Sequence, residues 1–98
     1  MSSGPRVALF CLHLFIAGSQ SLKQKRGILQ SLKARIRKQF NVSVAETGMH
    51  EKWQVAEISL SAVAPDASRF EATLNSLIEF IEKNYSDVEI TYKDIDYL

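Results

Sequence analysis

Eleven consecutive residues, Val7 to Ala17, are apolar except for a single histidine, His13. Taken alternately, Ala8, Phe10, Leu12, Leu14 and Ile16 make one face of an extended chain, and Val7, Leu9, Cys11, His13 and Phe15 make the other. A strand apolar on both sides belongs in the middle of a sheet, with helices on one face and the second face at least partly covered. The run is too short for a bilayer span, which needs about 20 residues. Arg6 before it and small residues after it imitate a signal peptide, but its removal would leave the other elements without a centre. It is read as a buried strand, and the chain is expected to be cytoplasmic with no membrane partner.

A helix is predicted over residues 21–39, after a turn at Gly18-Ser19-Gln20-Ser21, with Ser19 or Ser21 as its N-cap. Leu22, Leu29, Leu32, Ile36 and Phe40 recur at three- and four-residue steps and form an apolar stripe, with Ile28 on its margin. Lys23, Arg26, Gln30, Lys33 and Arg37 recur at the same kind of step on a neighbouring face. At 1.5 Å per residue that line of cations runs about 20 Å. Lys25 falls instead on the apolar side, where it needs a partner or must snorkel outward, and Glu46 is the candidate partner.

The remaining chain divides into short elements. Residues 41–46 alternate as a strand, residues 47–51 turn around Gly48, and residues 52–63 form a third strand. Ala56, Ile58, Leu60 and Ala62 of that strand face the core, with Val55 and Glu57 on the opposite side. Asp66 is the expected cap of a second helix carrying Phe70, Leu74, Leu77, Ile78, Ile81 and Tyr85. Val88, Ile90 and Tyr92 make a fourth strand, followed by an acidic tail from Asp94 to Leu98. The order strand–helix–strand–strand–helix–strand with short connections predicts one α+β domain over residues 1–98, with residues 1–5 as a loose leader. Its fold is a ferredoxin-like βαββαβ sandwich, a four-stranded antiparallel sheet with two helices on one face.

The net charge of +1 conceals a division. Residues 1–45 hold eight Lys/Arg and no acid, whereas residues 46–98 hold four Lys/Arg and all eleven acids. Either the two halves neutralise each other by packing side by side, or the protein presents a cationic face to a partner. In the predicted topology the end of strand one, the start of helix one and the second hairpin share one end of the sheet. Ser21, Lys23, Lys25 and Arg26 at a helix start offer an anion site, and a Lys25–Glu46 or Arg26–Glu46 ion pair there is the structural alternative; the two can coexist.

Catalysis finds little support. Cys11 is the sole cysteine, which excludes an internal disulfide and marks it as a small hydrophobe. His13 and His50 have no metal-ligand spacing, so neither metal nor cofactor is expected. His13, Glu57, Ser59 and Ser61 share a sheet face without a spacing that fixes a nucleophile and its base. Leu9, His13, Phe15, Val55 and Glu57 together mark that face as an interaction surface, with a homodimer as one use of it. The central strands lack the stacking aromatics with which an RNA-recognition module holds bases.

Ser-Leu-Lys-Gln-Lys-Arg at 21–26, Phe-Asn-Val-Ser-Val-Ala-Glu at 40–46 and Trp53-Gln54 together resemble the YlxP-like family of small bacterial proteins of unknown function. The resemblance covers nearly the whole chain and implies a ferredoxin-like fold. The family's gene neighbourhoods, near translation initiation and ribosome maturation, imply an RNA-linked role, and the family supplies no catalytic residues to carry over. Met49-His50-Glu51-Lys52 replaces the more acidic turn of relatives. The expectation is a non-enzymatic RNA- or ribosome-associated protein that contacts phosphates through Ser21, Lys23, Lys25, Arg26, Lys33 and Arg37. The alternative is a protein-interaction or small-ligand-binding module working through the open sheet face.

Overall fold

A computed structural model describes residues 4–98, so the leader expected at residues 1–5 lies partly outside the described residues. The elements are β1 (Arg6–Ile16), α1 (Leu22–Gln39), β2 (Val42–Gly48), β3 (Val55–Ala64), α2 (Ser68–Asn84) and β4 (Val88–Tyr97). They form a four-stranded antiparallel sheet in the order β2-β3-β1-β4. The fold is the ferredoxin-like sandwich, and β1, apolar on both faces, is an inner strand.

Ala8, Phe10, Leu12, Leu14 and Ile16 are fully buried, each separated by a residue of the other face. They meet Leu29, Leu32 and Ile36 of α1 and Phe70, Leu74, Leu77 and Ile81 of α2 in one core. Phe10 and Phe70 cross edge to face with ring centres 6.4 Å apart, a geometry the ring quadrupoles favour. Both helices cover this one face. Leu22 and Phe40, at the two ends of the α1 stripe, are half-buried. No helix of the described residues is long and apolar enough to cross a membrane.

The helix starts differ. Ser21 caps α1 by accepting the Gln24 backbone N–H at 3.1 Å, while the Gln24 side chain reaches back to the Gln20 N–H at 2.7 Å. Two otherwise orphaned donors are thereby satisfied reciprocally, much as in a capping box. Ser19, the other cap candidate, is fully buried and donates to the Ser21 carbonyl. At α2 the cap position falls on Ala67, and Asp66 acts one residue earlier, accepting both the backbone N–H and the hydroxyl of Ser68. These bonds hold the Asp66 carboxyl below its ordinary pKa.

The C-terminal segment departs from expectation. The acidic stretch after Tyr92 is not a tail: β4 continues to Tyr97, with Asp94 opposite Cys11, Asp96 opposite Leu9 and Tyr97 opposite Ala8. The register slips between His13 and Leu14, whose partners are Tyr92 and Ile90, so Thr91 is an inserted residue. A bulge of this kind shifts the alternation by one. Val88 and Ile90 therefore share the core face while Tyr92 turns to the opposite one, whereas an unbroken strand would put all three together.

Candidate functional site

Two regions gather the residues expected to act: the outer flank of α1 and the sheet face that no helix covers. On α1, Lys23, Arg26 and Arg37 are exposed and Lys33 is half-buried. Arg37 donates to the Val44 carbonyl of the edge strand at 3.0 Å, which turns this flank toward β2. The other flank faces α2. There Ser31 meets the Tyr85 hydroxyl, and Arg35 bonds Asn84 and lies over the rings of Phe80 and Tyr85.

Lys25 stands apart from this series. Only 1% of its surface is exposed, which removes it from the residues able to reach a phosphate. Its ammonium donates to the Met49 carbonyl at 2.6 Å and lies 3.1 Å from Glu46 Oε2. The ion pair read from the sequence is thus present, and the carbonyl partner is new. Oε2 is buried and misses hydrogen-bond geometry, so charge alone holds it against the ammonium. Ser21 is also engaged within the chain, as the α1 cap. The phosphate set drawn from the sequence therefore reduces to Lys23, Arg26 and Lys33, with Arg37 partly committed.

The β2–β3 turn explains the Met49 contact. Gly48 does not supply its left-handed residue; Met49 does, with φ at 62°. This is an uncommon conformation for a side-chain-bearing residue. The Met49 carbonyl receives both the Lys25 ammonium and the Lys52 N–H. Gly48 serves another end. A Cβ there would lie 3.0 Å from Glu57 Oε1, so the missing side chain makes room for that carboxylate. His50 points its ring nitrogen at the Glu46 carbonyl, and Trp53 lies exposed.

On the open face the register brings together all five residues expected there. His13 stands opposite Glu57 and Phe15 opposite Val55, with Leu9 further along β1. His13 Nε2 donates to Glu57 Oε2 at 3.0 Å, and the Thr47 hydroxyl donates to Glu57 Oε1 at 2.8 Å. The Thr47 bond, then the His13 bond, holds the Glu57 carboxyl below its ordinary range. Cys11 is half-buried beside them, and burial, then the Glu57 charge, pushes its thiol pKa up. Tyr92, delivered by the Thr91 bulge, lies against the His13 ring with centres 4.7 Å apart. Reading residues in sequence missed Cys11, Thr47 and Tyr92 as neighbours of His13. The face signal existed for Cys11, but only strand pairing shows what lies across from it.

Comparison with known proteins bears on ancestry more than on chemistry. The uncharacterized protein YlxP of Bacillus subtilis (strain 168) is 32% identical over 71 residues, which is 72% of this chain and 76% of that protein. A dimeric ferredoxin-like protein from an uncultured marine organism matches at TM-score 0.49 and 15% identity, covering 96% of this chain and 95% of its own. A dinuclear metal-binding peptidase of the M20 family from Bacillus subtilis matches at TM-score 0.47 and 14% identity, all of this chain lying on 28% of that one. Residues 7–95 match the family described as protein of unknown function (DUF503), and with the YlxP relationship this places the chain in that family.

Proposed function

We propose that this is a non-enzymatic RNA- or ribosome-associated protein that binds phosphates along the outer flank of α1. One observation carries the reading: among the described residues, no carboxylate lies within 4.0 Å of Lys23, Arg26, Lys33 or Arg37. Glu46 of β2 is committed to the buried Lys25, and the acids of β4 are distant, since α1 runs beside the β2 edge while Glu89, Asp94 and Asp96 lie on the β4 edge. Four strands at about 4.8 Å spacing separate the edges by roughly 15 Å, beyond the Debye length of about 8 Å at physiological salt. A line of unpaired cations gains affinity by releasing counter-ions from a nucleic-acid backbone, without reading sequence.

Replacing Lys23, Arg26 and Lys33 together with Gln tests it, because among the described residues none of the three side chains holds a hydrogen bond or ion pair. Binding to single-stranded RNA should weaken about equally across sequences. The salt dependence should flatten by roughly 0.7 log units for each phosphate that no longer has a cation beside it. A triple variant that binds as well as the parent, with the same slope, would leave the stripe a solvated face.

The open sheet supports a second reading, a homodimer or protein-interaction module. β1 and β3 carry apolar side chains on the face that no helix covers, Leu9 exposed and Phe15 and Val55 half-buried. On that reading light scattering at micromolar protein should show a dimer that Phe15→Glu converts to monomer. A parent chain already monomeric, and unchanged by Phe15→Glu, removes it.

A further inference from the structure

The centre of the open face holds three chemically different donors. Cys11 and His13 project from the same side of β1, two residues apart, and strand pairing sets Glu57 opposite His13. The Cys11 sulfur, a His13 ring nitrogen and a Glu57 carboxylate oxygen all lie within 4.8 Å of one another. We infer that Cys11, His13 and Glu57 form a binding site for a divalent transition-metal ion of the zinc class, its fourth position open to solvent above the sheet.

The donor set selects the ion. Sulfur and imidazole exclude the oxygen-seeking cations magnesium and calcium, and one ligand each of sulfur, nitrogen and oxygen suits zinc or its substitute cobalt. Bonds of about 2.0–2.3 Å in a tetrahedron place the ligand atoms roughly 3.3–3.6 Å apart. Closing the present triangle thus takes side-chain rotation of about an ångström and no strand movement. Three protein ligands with a free fourth position is the arrangement of zinc sites that bind an exchangeable group.

The surroundings support the ligands. β1 and β3 are the two inner strands, so the backbone beneath the site is held on both sides. Thr47 of β2 holds Glu57 from across the hairpin, Gly48 leaves the carboxylate its space, and Tyr92 packs on the His13 ring. Bonds of this kind fix the orientation of metal ligands. Asp94, opposite Cys11 on β4, adds negative charge beside the site. A cross-strand His13–Glu57 pair accounts for two of the three groups, and the Cys11 thiol, hydrogen-bonded to Glu57 and Ser59, brings the third within ligating reach of the same carboxylate. On binding, the thiol proton leaves to solvent, Glu57 binds as the carboxylate and His13 turns a ring lone pair to the ion.

The test uses the full chain, reduced and stripped with chelator, then titrated with Zn²⁺ by calorimetry and with Co²⁺ by absorption. One Zn²⁺ should bind per chain, and the Co²⁺ complex should show a thiolate-to-cobalt charge-transfer band. Cys11→Ser should abolish that band, and Cys11→Ser and Glu57→Gln should each weaken Zn²⁺ binding at least about tenfold. Thr47→Val, which removes the bonds to Glu57 and Ser59 and no ligand, should weaken it roughly 10–100-fold. His50→Ala, outside the cluster, should change nothing. The site is refuted if the parent chain takes up no Zn²⁺ at micromolar protein, or if its Co²⁺ complex lacks the thiolate band. Undiminished Zn²⁺ binding by Cys11→Ser refutes it equally. The band in the parent chain decides the matter even if a variant fails to fold.

Discussion

Replacing Glu46 with leucine should destabilise the protein by about 3–5 kcal/mol, because it leaves the Lys25 ammonium buried without a counter-charge. Lys25 is 1% exposed, and after the substitution the Met49 carbonyl would be its ammonium's one remaining partner among the described residues. A buried charge loses hydration that a single carbonyl does not restore. The double variant Lys25→Met with Glu46→Leu should recover most of the loss, since a packed apolar pair often matches a buried ion pair. Urea unfolding of the parent, both single variants and the double variant closes a cycle that isolates the pair. A Glu46→Leu protein within about 1 kcal/mol of the parent would show that Lys25 finds water by another route. The cycle also bears on function. Lys25 is a structural residue if it changes stability and leaves RNA affinity alone.

Phe10→Ala should cost about 3–5 kcal/mol, by lost transfer energy and the cavity left behind. Phe10 is fully buried and contacts Phe70 edge to face. Phe15, on the opposite side of the same strand, is only half-buried. Its alanine substitution should cost about 1 kcal/mol or less in a monomer, since only the core face is closed. For a domain of this size each kcal/mol moves the melting temperature by about 4–8 °C, so calorimetry separates the two readily. The difference doubles as a measure of the open face. If a second copy covers that face, the effect of Phe15→Ala grows with protein concentration, because dissociation then precedes unfolding.

Much of the site could be read from residue order. Helical spacing placed Lys25 on the apolar side of α1 and Lys23, Arg26, Lys33 and Arg37 away from it, and alternation along β1 and β3 put Leu9, His13, Phe15, Val55 and Glu57 on one face. Periodicity reports direction from an element and nothing about distance to another. It therefore suggested Glu46 as the partner of Lys25 but could not show the Met49 carbonyl, which arrives on a left-handed residue of the hairpin. It placed Cys11 on the face of His13 but could not bring either to Glu57, more than forty residues away.

What the sequence determined by itself was set by repeating, local physics: strand and helix periods, the doubly apolar strand that had to be central, a serine cap at 19 or 21 and the division of charge along the chain. Tertiary structure decided what depends on register and on breaks in the repeat. The inserted Thr91 reverses the facing of β4 from Tyr92 onward, and four positions of the expected acidic tail, Asp94 to Tyr97, pair with β1. Strand order β2-β3-β1-β4 sends the basic flank and the acidic strand to opposite edges, so charges that could have cancelled stay apart. Pairing of β1 with β3 assembles a thiol, an imidazole and a carboxylate from segments that carry no shared motif. Each of these outcomes rests on hydrogen bonds between distant strands, whose alignment no single segment encodes.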